Sequence, residues 1–159
     1  MVRIALIVLL YTSVNSINAQ QIEVIRFQDL EQLINQKKES YSVFNFWATW
    51  CQPCVAELPY FETLGDRYKD QITVYLISFD FVEDLDTKVK NFVAKRKLKS
   101  ELKLLNETDY NSFIDKVSEE WSGAIPATLF VDNRTGKKRF YEGEFKENEL
   151  EETLKEFMN

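Results

Sequence analysis

No histidine occurs anywhere in the chain, and cysteine occurs only twice, at Cys51 and Cys54. A zinc site takes about four nitrogen or sulfur ligands, so two cysteines without histidine leave carboxylates to fill half the shell. No metal and no cofactor is expected. Four glycines and three prolines leave little material for flexible linkers, and no internal repeat is visible. Cations are outnumbered, 20 Lys and Arg against 26 Asp and Glu, for a net charge of −6. Nucleic-acid surfaces are basic as a rule, so no nucleic-acid partner is expected. The apolar run Ile4 to Tyr11 is eight residues long, well short of the about 20 that a spanning helix needs.

What that run does resemble is the core of a secretory signal. Arg3 supplies a positive start, and polar residues then lead to Ile17-Asn18-Ala19 before Gln20, a small-residue cleavage site. No cysteine stands near that point to carry a lipid. The expectation is a signal over residues 1–19 and one domain over 20–159, exported to the periplasm or cell envelope. Loss of Arg3 with that segment takes the charge to −7. The remaining roughly 140 residues fit a single domain, and 12 Phe, 7 Tyr and 3 Trp in the full chain supply its core.

Hydrophobic periodicity lays out the elements. Ile22 to Phe27 alternates as a strand, Asp29 to Lys38 reads as a helix, and Tyr41 to Trp47 is an apolar, β-rich strand. Val55, Leu58, Phe61, Leu64 and Tyr68 repeat at helical spacing to about Lys69. Gln71 to Phe79 is apolar enough for a central strand. Asp84 to Leu98 predicts an amphipathic helix, Leu102 to Leu105 a short strand, and Asp109 to Trp121 another helix. Ala127 to Val131 and Lys138 to Phe145 form a hairpin across the turn-rich Asp132 to Lys137, and Glu147 to Phe157 closes as a helix. This order predicts an α/β fold, a mixed central sheet with helices on both faces. The basic stretch Lys95-Arg96-Lys97-Lys99 stands out in an acidic chain; it reads as a solvated helix C-terminus, which suits the dipole, or as a docking patch.

The two cysteines fall where a strand gives way to a helix, in Trp50-Cys51-Gln52-Pro53-Cys54. A helix N-terminus favours negative charge and hence a thiolate at Cys51. Such a pair can close a disulfide or open to a dithiol. Half a zinc site and a purely structural disulfide are the alternatives, though so short a loop constrains the unfolded chain little.

In detail, Phe46-Trp47-Ala48-Thr49-Trp50-Cys51-Gln52-Pro53-Cys54 followed by Glu57-Leu58-Pro59 resembles the exported TlpA/ResA-like thioredoxins. Gly123-Ala124-Ile125-Pro126-Ala127-Thr128 resembles that family's cis-proline loop, and the segment from Phe79 to Trp121 resembles its inserted helix and strand. The likeness to peroxiredoxins fails locally, because Thr49 stands two residues before Cys51 where their motif needs three.

The resemblance implies a thioredoxin-like fold and a thiol–disulfide oxidoreductase. Cys51 is then the attacking thiolate and Cys54 the resolving thiol. Trp50, Gln52 and Pro53 support them, and Ile125 and Pro126 present a backbone edge to substrate. Asn45 stands where plain thioredoxins bury an aspartate, and Asn takes up no proton. Glu57, one turn beyond Cys54, is the nearest ionisable substitute, or else a surface glutamate. Pro59 is expected to kink its helix. The implied partners are disulfide-bearing exported proteins and, for a reductant, a membrane thiol electron donor; cytochrome c maturation is one such setting, and a monomer is expected. An oxidase or isomerase of exported proteins, and a non-catalytic binding module, stay open.

Overall fold

The computed structural model of the chain describes residues 21–159, so the expected signal and its cleavage point lie outside the described residues. The elements run β1 (Glu23–Ile25), α1 (Phe27–Asn35), β2 (Tyr41–Trp47), α2 (Gln52–Arg67), β3 (Ile72–Ser78), α3 (Lys90–Arg96), β4 (Glu101–Leu105), α4 (Ile114–Val117), β5 (Ala127–Asp132), β6 (Lys138–Glu142) and α5 (Glu149–Met158). The sheet order is β1-β4-β3-β2-β5-β6. The first four strands in that order are parallel, β5 is antiparallel to β2, and β6 is antiparallel to β5. The predicted mixed sheet is therefore present. The inserted segment does more than decorate it, since β4 lies between β1 and β3.

Strand β2 sits at the centre because its residues are apolar on both faces, the pattern of a strand covered twice. Phe44 and Phe46 point one way: Phe44 stacks on Tyr75 with ring centroids 4.7 Å apart, and Phe46 packs on Phe79 and Trp121. That face also holds Phe27 of α1 against Phe113. Val43, Asn45 and Trp47 point the other way, where Asn45 bonds Glu57 of α2 and Trp47 meets Phe92 of α3. Phe130, directly across from Val43 on β5, packs on Phe145 and on Phe157 of α5.

Four stretches depart from the periodic reading. Phe27 opens α1 instead of ending β1, because the Arg26 backbone N–H is capped by Asp29 Oδ2 at 2.9 Å and Phe27 turns inward. The expected helix from Asp84 to Leu98 begins as a 3-10 turn over Val82–Asp84 and a π turn over Leu85–Val89, and it ends at Arg96. The wider turn re-phases the apolar face, so Val89 and Val93 are buried and Leu85 is only half-buried. The expected helix from Asp109 to Trp121 is the largest miss. It is a 3-10 turn, the single turn of α4 and a loop, with Ser118 already extended. Packing overrides propensity here, since Trp121 must double back to reach Phe46 and Phe79. Strand β6 likewise stops at Glu142, and Phe145 turns in to the core.

Phe130, with Tyr41 of β2, packs on Phe157 and holds α5 to the sheet. Phe130→Ala is expected to lower the unfolding free energy by about 3–5 kcal/mol, read as a shift of the urea midpoint at unchanged slope.

Candidate active site

The seat of the two cysteines is built from the C-terminal ends of β2 and β3. After Trp47 the chain makes one tight turn, with the Cys51 N–H bonded to the Ala48 carbonyl at 3.1 Å. Asp80, just past β3, is buried and fixes this turn: Oδ2 accepts from the Thr49 backbone N–H at 2.9 Å and Oδ1 from the Thr49 hydroxyl at 2.5 Å. Ser78 holds the same carboxylate at 2.8 Å. Cys51 is the N-cap of α2, and Pro53, lacking an N–H, takes an early helical position where none is needed. The helix continues through Pro59 to Arg67.

Cys51 and Cys54 are joined by a disulfide, with Cα atoms 5.3 Å apart. Cys54 is fully buried, whereas Cys51 keeps 6% exposure and Trp50 beside it 62%. The Cys54 backbone N–H points at Cys51 Sγ from 3.3 Å. On its other side Cys51 Sγ approaches the Ile125 carbonyl oxygen to 3.8 Å; a disulfide sulfur has no proton to give, so this is a close approach and not a hydrogen bond.

The Ile125–Pro126 peptide bond is cis. Its loop is held from several sides: Trp121 Nε1 donates to the Ala124 carbonyl at 2.8 Å, Ser122 donates twice to Glu142, and the Gly143 N–H donates to the Pro126 carbonyl at 2.9 Å. Gly123 has φ +93°, and a Cβ there would sit 2.8 Å from Ile114 Cδ1. Only glycine fits that corner.

Beneath the sulfurs' strand lies a buried polar pair. Asn45 Nδ2 donates to Glu57 Oε1 at 2.7 Å and to Thr128 Oγ1 at 3.3 Å, while the Phe145 N–H donates to Glu57 Oε2 at 2.7 Å. Glu57 is wholly buried. Burial pushes its carboxyl up to about 7, against the two hydrogen bonds that favour the charged form; nearby Glu144 adds to the rise and Lys146 opposes it. Asn45 Oδ1 is left without a partner.

The structure thus gathers Trp50, Cys51, Gln52, Pro53 and Cys54 opposite Ile125 and Pro126, with Asn45 and Glu57 paired behind. Glu57 is an interior group and not the surface glutamate that was the alternative. Sequence reading missed Asp80 and Trp121. Asp80 lies in an acidic run with nothing to mark it, and Trp121 was assigned to a helix that does not form. Among the described residues no cluster of His, Cys, Asp or Glu could hold a metal ion.

A closed Cys-x-x-Cys pair at a helix N-terminus, facing a cis-proline loop on a mixed sheet of this topology, defines the thioredoxin-fold class. The chain belongs to the AhpC/TSA family, whose profile matches residues 15–137. It is 37% identical over 115 residues to the thiol-disulfide oxidoreductase ResA of Bacillus thuringiensis subsp. konkukian, an alignment covering 70% of this chain and 60% of that relative. A thioredoxin domain of a thiol-disulfide oxidoreductase from Bacteroides vulgatus superposes with TM-score 0.59 at 26% identity, covering 77% of this chain and 81% of that one. A thioredoxin-family thiol:disulfide interchange protein from Chlorobium tepidum shares the fold at TM-score 0.61 and 21% identity, covering 77% and 82%.

Glu57 gives the fold a pH signature. Its carboxyl titrates near the ordinary glutamate value of 4.5 when unfolded and near 7 when folded, so the native state holds the extra proton between those values. Stability attributable to this group is undiminished below about pH 4.5, falls as pH rises through that window, and stays reduced above it. Glu57→Gln removes the penalty. Denaturant titrations are expected to show the variant gaining on wild type by up to about 3 kcal/mol between roughly pH 4 and pH 8. A gap independent of pH would contradict the assignment.

Proposed function

We propose that the chain is a thiol–disulfide oxidoreductase that exchanges disulfides with exported proteins through Cys51 and Cys54, and that it works outside the cytoplasm as a reductant. The observation that carries this reading is the Cys51–Cys54 disulfide capping α2, with Cys51 against the cis-proline loop. In the reduced protein the Cys51 thiolate attacks one sulfur of a client disulfide. A Cys51–client mixed disulfide forms and the client's other sulfur leaves as a thiolate. The Cys54 thiol loses its proton and attacks Cys51 Sγ, closing the internal disulfide and releasing the second client thiolate. Two electrons pass to the client, whose thiolates take up two protons.

The geometry supports these roles. The Cys54 N–H faces Cys51 Sγ, and the N-terminus of α2 favours its thiolate. Cys54 has no solvent contact, which disfavours its charged form until the mixed disulfide is in place. Glu57, with its carboxyl poised near neutrality, is the interior group suited to accept the Cys54 proton, a task Asn45 cannot perform. Trp50, Gln52 and Pro53 form the exposed rim, and the backbone at Ile125 and Pro126 offers an edge for an extended client segment.

Gln52-Pro53 between the cysteines places no cation beside Cys51, unlike sites whose reduced form is strongly stabilised. This favours a reductant over an oxidase, with electrons supplied by a membrane thiol donor; apocytochromes are one class of client. The N-terminal apolar segment supports export. Insulin reduction with dithiothreitol is expected to lose nearly all its catalysed rate in Cys51→Ser, and equal rates would favour a binding module. Iodoacetamide is expected to label the reduced protein at Cys51 alone. Cys54→Ala is expected to accumulate client mixed disulfides on Cys51. A potential near about −120 mV against glutathione would overturn the reductant assignment.

A further inference from the structure

Beside the cysteines lies an open groove of about 510 Å³ between α2 and α3, lined by no residue of the cis-proline loop. Val55, Pro59 and Phe92 form its apolar lining, Trp50 and Gln52 its edge nearest Cys51, and Arg96 its far wall. Although acids outnumber bases in the chain, no carboxylate lines this groove. The Arg96 guanidinium stacks over the Phe92 ring at 5.5 Å, and Phe92 in turn packs on Trp47. The cation is thus held in place by the core. Among the described residues Arg96 and its exposed neighbours Lys95 and Lys97 pair with no carboxylate, whereas Lys88, Lys90 and Lys99 on either side each do.

The loops on either side of Asp80 carry exposed apolar side chains. Trp50 and Phe81 are the two most exposed large apolar side chains among the described residues, at 62% and 66%. Both emerge from loops that Asp80 ties together, Thr49 preceding one and Asp80 itself the other. Exposed Trp50 at the edge of a groove whose one charged lining residue, Arg96, pairs with no carboxylate among the described residues marks an interaction surface.

We propose that this groove is a second docking subsite, which seats the stretch of a client polypeptide flanking its reactive cysteine and selects clients carrying an Asp or Glu there. The proposal rests on the exchange activity proposed above. Apolar client side chains lie over Val55, Pro59 and Phe92, and the client carboxylate pairs with Arg96. The cis-proline edge then reads the client backbone near the sulfur, while the groove reads the charge of the residues beyond it.

The test uses two peptides that differ only in charge, one with aspartates and one with lysines flanking a single cysteine held as its mixed disulfide with 2-nitro-5-thiobenzoate. The reduced protein attacks the peptide sulfur and releases the coloured thiolate, whose appearance gives the rate. The aspartate peptide is expected to react about fivefold faster at low salt, and the preference to vanish at about 1 M salt, where screening reaches about 3 Å. Arg96→Gln is expected to bring the ratio near one and Arg96→Glu to invert it. Lys69→Glu, the same change of charge beyond the other end of α2, is expected to leave the ratio unaltered. Equal rates for the two peptides in wild type, or a ratio that Lys69→Glu shifts as much as Arg96→Glu does, would overturn the proposal.

A second arm removes the chemistry. Serine versions of both peptides are titrated into the oxidised protein and followed by tryptophan fluorescence, with tighter binding of the aspartate peptide expected only when Arg96 is present. If reduced wild type releases thiolate from neither peptide, the exchange reading falls, and this arm alone decides the groove: tighter aspartate binding that needs Arg96 upholds it, and equal binding refutes it.

Discussion

The antiparallel pairing of β2 with β5 is the constraint on which the site depends. Its register sets Phe46 beside Ala127 and Asn45 beside Thr128. The last residues of β2 therefore lie alongside the first residues of β5, which brings Pro126 to the chain that leads into Cys51. A slip of one residue would turn Phe44 and Phe46 out of their aromatic cluster and Asn45 away from Glu57. The register is thus locked by the core on one face and by a polar pair on the other. Contact between Cys51 Sγ and the Ile125 carbonyl, 74 residues apart, is a by-product of that lock.

The polar pair is an unusual thing to bury. A carboxyl without a cationic partner is costly in the interior, and Glu57 meets the cost by holding its proton to about pH 7. Two donors, from Asn45 and from the Phe145 backbone, compensate in part. Phe145 is itself delivered by the turn at Gly143, where φ is +138°. The hairpin end, the helix carrying the cysteines and the central strand therefore converge on one acid. An apolar residue there would pack more cheaply, and what it would forfeit is an ionisable group three residues beyond Cys54 in the same helix.

The insertion changes the sheet and the surface together. Strand β4 enters between β1 and β3, and α3, which leads into it, forms one wall of the groove beside Trp50. A chain without α3 and β4 would lack Phe92 and Arg96, while Asp80 and Trp121 at the two ends of the segment hold the turn before Cys51 and the cis-proline loop. The groove wall and the disulfide seat thereby lie on separate parts of the fold.

Much of this could be read along the chain. The strand from Tyr41 to Trp47, the helix carrying the cysteines and the strand from Ala127 are strongly periodic segments whose burial follows from their own composition. The cysteine spacing and the Ile125-Pro126 dipeptide marked the site because their chemistry is local. What only the tertiary structure decided is where distant side chains meet. Whether Glu57 faced water or the interior depended on Asn45 and Phe145, which lie 12 and 88 residues away. Asp80 reads as one acid among 26 until the fold sets it under Thr49. The stretch from Asp109 to Trp121 has the pattern of a helix, but the gain from seating Trp121 against Phe46 and Phe79 exceeds what local helix propensity offers. Spacing along a sequence reports what neighbours prefer, and these outcomes were set by partners that only the packed sheet brings into reach.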